Sequence, residues 1–133
     1  MFFDQRITRL IPLSVIMAGI FLISHQPGDS ITLPKFWQAD KILHSFAYGG
    51  LGLAAMLSLS PEMRRTRYVV SAITVVVFCM AYGISDEFHQ SFIPGRVAGF
   101  LDVVADTVGG IGAVLCWYLV IERNGKNRTL TSK

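Results

Sequence analysis

Tyr82-Gly83-Ile84-Ser85-Asp86-Glu87-Phe88-His89-Gln90-Ser91-Phe92-Ile93-Pro94-Gly95-Arg96, followed by Asp102 and Asp106, is the stretch on which the fold turns. It sets four acids, a histidine and an arginine between two apolar runs, 68–83 and 107–121. An ionisable side chain within a bilayer costs roughly 2.5–3.5 kcal/mol at a helix centre unless it pairs or faces water. A lipid-facing surface could not carry this cluster, and a soluble core would rarely do so. The expectation is a polar layer turned into the middle of a helical bundle.

Outward from that cluster the chain is largely apolar. Of its 133 residues, 52% are hydrophobic and 16% charged, and the excess lies in long runs rather than in an alternation of core and surface. Four runs, 7–23, 41–60, 68–88 and 98–121, approach the roughly 17–25 residues that a membrane-spanning helix needs. The predicted architecture is all-α: one domain over residues 1–133, an integral membrane bundle of four transmembrane helices. Arg6 and Arg9 ahead of the first run resemble a secretory signal, but Ser24-His25-Gln26-Pro27 after it is no Ala-x-Ala exit, which predicts a retained helix.

Charge sets the expected orientation. Arg6, Arg9, Arg64, Arg65, Arg67, Arg123, Lys126, Arg128 and Lys133 fall on one side, with only Asp4, Glu62 and Glu122 among the acids. Lys35, Lys41 and Arg96 fall on the other, with Asp29, Asp40, Asp86, Glu87, Asp102 and Asp106. Short loops rich in Lys and Arg stay cytoplasmic, so both termini are expected inside and the acid-rich end outside. The formal net charge of +3 is then a signal of topology, with no nucleic-acid partner implied. Asn127-Arg128-Thr129 fits a glycosylation sequon but falls in the expected cytoplasmic tail. Cys79 and Cys116 sit in apolar runs at different depths, which predicts packing rather than a disulfide.

The second run opens with Asp40-Lys41-Ile42-Leu43-His44-Ser45-Phe46-Ala47-Tyr48. Asp40, His44 and Tyr48 are spaced i, i+4, i+8 and therefore share one helix face. Asp40 can also cap the helix start, which leaves His44 and Tyr48 unexplained. Tyr82, Asp86 and Gln90 repeat the spacing in the third run, with His89 near that face, and Asp102 and Asp106 repeat it in the fourth. Counting up from the cytoplasmic ends at ~1.5 Å per residue puts His44 and Asp106 at about 24 Å, Asp86 at about 28 Å, and Asp40 and Asp102 near ~30 Å. Three helices thus bring polar faces into one layer of the outer leaflet.

Other features have plainer readings. Lys35-Phe36-Trp37 suits an interface anchor, and 60–67 suits a basic orientation loop. Gly49, Gly50, Gly52, Gly109, Gly110 and Gly112 suit close helix packing. His25 and Gln26 either solvate a loop or line the site. A faint internal similarity matches His25-Gln26-Pro27 leading to Asp40 with His89-Gln90-Pro94 leading to Asp102, the pattern of a duplicated helical hairpin.

Ser24-x-Gln26, Asp40-Lys41-x-x-His44-x-x-x-Tyr48, Tyr82-Gly83-x-x-Asp86-Glu87-x-His89-Gln90-x-Phe92-x-Pro94-Gly95-Arg96 and Asp102-x-x-x-Asp106-x-x-Gly109 together resemble the VanZ-like family of small bacterial membrane proteins. The resemblance runs from about residue 24 to 112. The family takes its name from a protein giving low-level teicoplanin resistance, so the resemblance implies a role in the bacterial cell envelope. With the charge pattern it implies a multi-pass protein of the cytoplasmic (inner) membrane whose site faces the extracytoplasmic side.

Four kinds of chemistry suit the polar layer. The first is a hydrolase or transferase acting on a lipid-linked or envelope phosphate or ester: His44 or His89 as general acid or base, oriented by Asp40, Asp86 or Asp106. Lys41 and Arg96 would hold the anion, with Tyr48, Tyr82, Glu87, Gln90, Asp102 and Gln26 lining the site. A divalent metal on Asp86, Glu87, His89, Asp102 and Asp106 is a variant of this reading, although no His-Glu-x-x-His motif is present. The second is non-catalytic binding of a membrane lipid, an envelope lipid-linked compound or a glycopeptide. The third is proton or ion conduction, against which the cytoplasmic halves of the helices carry no polar path. The fourth is a purely structural polar network.

Overall fold

A computed structural model describes residues 5–28 and 39–122, and all regular structure among them is helical. The long helices are α1 (Gln5–Ser24), α2 (Ala39–Ser58), α4 (Tyr68–Gln90) and α5 (Phe100–Cys116), with short α3 (Pro61–Thr66) between α2 and α4. The chain continues from α5 into a π-helical turn, Trp117–Glu122. Lys35-Phe36-Trp37, Asp29, the 127–129 sequon and the basic C-terminal tail lie outside the described residues.

The short helix α3 occupies the stretch read above only as a polar turn. The Ser60 side chain accepts a hydrogen bond from the Met63 N–H, and Pro61 opens the helix where its missing N–H costs nothing. Arg64 then folds back, donating to the Met56 carbonyl and stacking its guanidinium 4.6 Å from the Trp117 ring centre. A cation over an indole is worth roughly 0.5–2 kcal/mol, and here it ties α3 to the end of the chain's last helix.

Among the described residues three helices, not four, are both long and apolar enough to cross a membrane: Ile7–Ser24, Tyr68–Gln90 and Phe100–Val120. The second run matches α1 in length, at 20 residues each, but Asp40, Lys41, His44 and Ser45 in its first two turns lower its apolarity. Three such helices indicate a membrane protein.

The distribution of side chains is inverted relative to a water-soluble fold. Asp86, Glu87, Asp102 and Asp106 are buried, whereas Phe46 is 76% and Phe100 80% exposed. A contiguous apolar exterior of this kind suits lipid rather than water. The core that remains is small: Tyr48, Leu51, Ala55, Met56, Val75, Cys79, Val114 and Trp117.

The packing of α2 on α5 fixes the polar layer. A Cβ at Gly109 would run into the Ser45 carbonyl and the Gly49 N–H, so only glycine permits this crossing. The Ser45 hydroxyl donates to the Ala105 carbonyl across the same seam at 2.9 Å. Gly83 does the equivalent on α4: a Cβ there would stand 2.5 Å from Asp106 Oδ2. Both glycines make room for polar groups that would otherwise have no place between helices.

Candidate functional site

α2 presents Asp40, His44 and Tyr48 on one face, toward α1, α4 and α5. His44 Nδ1 lies 2.9 Å from Oδ1 of Asp106, a residue with no exposed surface. With Asp106 ionised the carboxylate only accepts, so Nδ1 carries the hydrogen and Nε2 is left for other partners. His44 and Tyr48 stack nearly parallel, with ring centres 6.4 Å apart.

One turn outward, Lys41 Nζ donates to Asp40 Oδ2 at 2.9 Å and to Asp102 Oδ1 at 2.7 Å. Lys41 is thereby committed to holding α2 against α5. On α4, Gln90 Nε2 donates to both Asp86 Oδ2 and the buried Ser24 hydroxyl, each at 3.0 Å, which ties α1 to α4. Glu87 Oε2 accepts from the Gly99 N–H at 2.7 Å and so holds the entrance to α5. Among the described residues, the Tyr48 hydroxyl, Glu87 Oε1 and Asp106 Oδ2 are buried without a hydrogen-bond partner.

A cavity of about 280 Å³ lies in this layer, lined by Asp40, His44, Tyr48, Asp86, Gln90, Arg96 and Ser24, with Ile20, Ile23, Leu43 and Ala47 forming its apolar wall. Ile23 and Leu43 are 64% and 50% exposed. The apolar wall is therefore also part of the outer surface at the seam of α1 and α2. The opposite boundary is drawn by the loops that follow α1 and α4. Arg96 Nε donates to the Gln26 carbonyl and Nη2 to the Ile23 carbonyl, and the Gly28 N–H donates to the Pro94 carbonyl. Gly95, at φ 74°, makes the left-handed turn that aims Arg96 back at the end of α1.

The sequence candidates thus separate. His44, Asp40, Tyr48, Asp86, Gln90 and Arg96 line one cavity, and Asp106 stands behind His44. Lys41, Asp102 and Glu87 hold the helices around it. Gln26 contributes its backbone carbonyl, and its side chain donates to the Leu22 carbonyl. Tyr82 donates to the Met17 carbonyl at 2.8 Å and lines a neighbouring groove with Phe21, Phe88, His89 and Phe92. His89 belongs to that groove and not to the cavity. Its Nε2 lies 3.2 Å from Nδ1 of His25, beside Phe21. Sequence reasoning missed Ser24 as a buried wall residue, although its place in the Ser24-x-Gln26 motif was a signal. Among the described residues no three His, Cys, Asp or Glu side chains form a group that could hold a metal.

The internally matched positions meet in space. His25 touches His89, and Asp40 and Asp102 share Lys41. Four residues further on in each hairpin, His44 meets Asp106. Such pairing is what two similar hairpins packed about an approximate twofold axis would give.

A family model described as VanZ/LLP1 matches residues 2–121. No curated protein and no solved structure matches the chain.

Proposed function

The chain belongs to the VanZ/LLP1 family, and from the geometry of its cavity we propose that it is a membrane-embedded hydrolase or transferase acting on a phosphate or carboxylic ester of a lipid-linked envelope compound. The observation that carries this reading is the His44–Asp106 pair at the edge of a cavity that is apolar on its α1–α2 side. A histidine held through Nδ1 by a buried carboxylate is fixed in tautomer and orientation, and its Nε2 is poised for proton transfer.

His44 takes a proton from water, or from an acceptor alcohol, as that oxygen attacks the phosphorus or carbonyl carbon. The ester P–O or C–O bond breaks, and the imidazolium returns the proton to the departing oxygen. Arg96, with two nitrogens committed to the Ile23 carbonyl of α1 and the Gln26 carbonyl just beyond it, turns its remaining Nη1 to the anionic oxygen. Asp86, fixed by Gln90, and Asp40 position the head group. The acyl or prenyl chain lies along Ile23 and Leu43 and reaches the site from the bilayer.

In this account α2 is the fourth membrane-spanning helix. Its outward residues Ile42, Leu43, Phe46 and Leu57 are exposed and apolar, while its polar face is covered by α1, α4 and α5. Both termini are cytoplasmic in the bacterial inner membrane, and the cavity lies in the outer leaflet, where lowered glycopeptide binding would follow from altered envelope chemistry. The test is mass-spectrometric profiling of lipids and envelope polymers with wild type and His44→Ala at equal membrane levels. A species converted only by wild type supports the reading. An envelope compound that copurifies with both proteins and is never converted replaces catalysis with binding.

A further inference from the structure

Glu87, Asp102 and Asp106 act on one another and on His44, Asp86 acts on Asp106, and Asp40 shares Lys41 with Asp102, so five carboxylates stand in this layer. The fixed cations there are Lys41 and Arg96. Lys41 is paired with Asp40 and Asp102, whereas Arg96 bonds two neutral carbonyls and keeps its charge for a ligand. A surplus of negative charge inside a bilayer-embedded bundle is costly unless a cation or protons offset it.

Three observations say what would offset it. Asp86, 6% exposed, lines the cavity with only one oxygen bonded, to Gln90. Tyr48 lines the same cavity at 1% exposure, and its hydroxyl has no partner. Arg96 lines the same cavity as these acids, so its polar lining carries both signs of charge. A simple phosphate meets more repulsion than attraction here. A ligand carrying an ammonium beside a phosphate would place the ammonium between Asp86, Asp40 and the Tyr48 hydroxyl and the phosphate on Arg96. No trio of metal-ligating side chains forms around the cavity among the described residues, which favours an organic cation held by hydrogen bonds over a ligated metal.

We propose that the cavity selects a zwitterionic amino-phosphate head group, of the phosphoethanolamine type, with its ammonium on Asp86, Asp40 and Tyr48 and its phosphate on Arg96. This assignment rests on the proposed ester chemistry for its importance but concerns binding alone.

The experiment measures binding to the purified full chain in nanodiscs by displacement of a fluorescent phosphatidylethanolamine. The competitors are unlabelled phosphatidylethanolamine, phosphatidylglycerol and free phosphoethanolamine. The expected result is displacement by phosphatidylethanolamine at least about tenfold stronger than by phosphatidylglycerol. Asp86→Asn should erase most of that preference. Asp40→Asn, at a half-exposed side chain that is easier to replace without unfolding, should reduce it. Displacement by free phosphoethanolamine as well would identify the head group alone as the ligand; displacement only by the intact lipid would show that the apolar wall contributes. Either outcome supports the assignment provided phosphatidylglycerol is weak. Equal displacement by the two lipids, or a preference unchanged in both variants, overturns it. Conversion of amine-free phosphate esters by wild type alongside equal displacement would leave the catalytic reading standing and this one refuted. Selective binding without any turnover would do the reverse.

Discussion

His44 Nδ1 is held 2.9 Å from Oδ1 of Asp106, whose carboxylate has no exposed surface. The bond joins α2 to α5 in the interior of the bundle, where an unpaired charge is costly. Among the described residues it gives the buried acid its only hydrogen-bond partner, since Oδ2 has none. Asp106 in turn owes its place to Gly83, which leaves it space on α4.

Two of the three histidines at this end of the bundle, His44 and His89, should therefore differ in effect. His44→Ala is expected to lower turnover of the envelope substrate by roughly 10²–10⁴-fold. His89→Ala, in the groove beside Phe21, should lower it by no more than about threefold. Turnover by membranes of matched protein content distinguishes the two, and equal losses would contradict the placement.

Asp106→Asn preserves volume but can present an N–H to His44 and so disturbs its tautomer. Turnover should fall by about 10²-fold or more, while thermal unfolding in detergent shifts little. A large loss of folded protein with normal turnover in the remainder would mark Asp106 as structural.

Lys41→Met leaves Asp102 buried without its partner. Breaking a buried ion pair from one side costs up to roughly 3–5 kcal/mol, and the residual exposure of Lys41 places the expected loss toward the lower end. The double variant Lys41→Met with Asp102→Leu should recover much of the stability, read as the midpoint of thermal unfolding.

Gly109→Ala should destabilise by roughly 1–3 kcal/mol or more, because the new methyl meets backbone of α2 that cannot rotate away. Gly112→Ala, with nothing within 4 Å of the added carbon, should be close to neutral or slightly stabilising through helix propensity. Unfolding of the two variants side by side separates a packing role from a general intolerance of substitution.

With Cys79 and Cys116 replaced by serine, a cysteine at Val97, 88% exposed, should react with a membrane-impermeant maleimide added outside intact spheroplasts. A cysteine at exposed Arg67 should react only after lysis. The reverse pattern would invert the orientation inferred from the basic loops.

Much of this layer was legible in the sequence, because helical spacing and distance from the basic loops are both linear in residue number. Asp40, His44 and Tyr48 were placed on one face by i, i+4 spacing, and matching depths brought the polar faces of three helices into one layer, though not the pairing of α2 with α5. What His89 would face from α4 was not legible. At about 100° of rotation per residue His89 falls to one side of the Asp86–Gln90 line, but the spacing does not say which neighbouring helix covers that side. Arg96 looked like a free anion clamp because its partners are backbone carbonyls, which carry no sequence signature. The helix α3 was hidden in a turn whose Arg64 reads equally well as an orientation charge. The count of apolar helices differs for a physical reason: the face of α2 that makes the site also makes that helix polar.

The central claim is that His44 drives addition of water or an alcohol to an ester in the outer-leaflet cavity. It is tested most directly by incubating the purified full chain in nanodiscs containing total bacterial lipid extract in ¹⁸O-labelled water, then analysing the products by mass spectrometry. The account predicts a lipid-derived phosphate or carboxylate that gains ¹⁸O, or an unlabelled product that carries a new acceptor alcohol, with wild type and not with His44→Ala. No new product with wild type, or the same product at the same rate with His44→Ala, would contradict it.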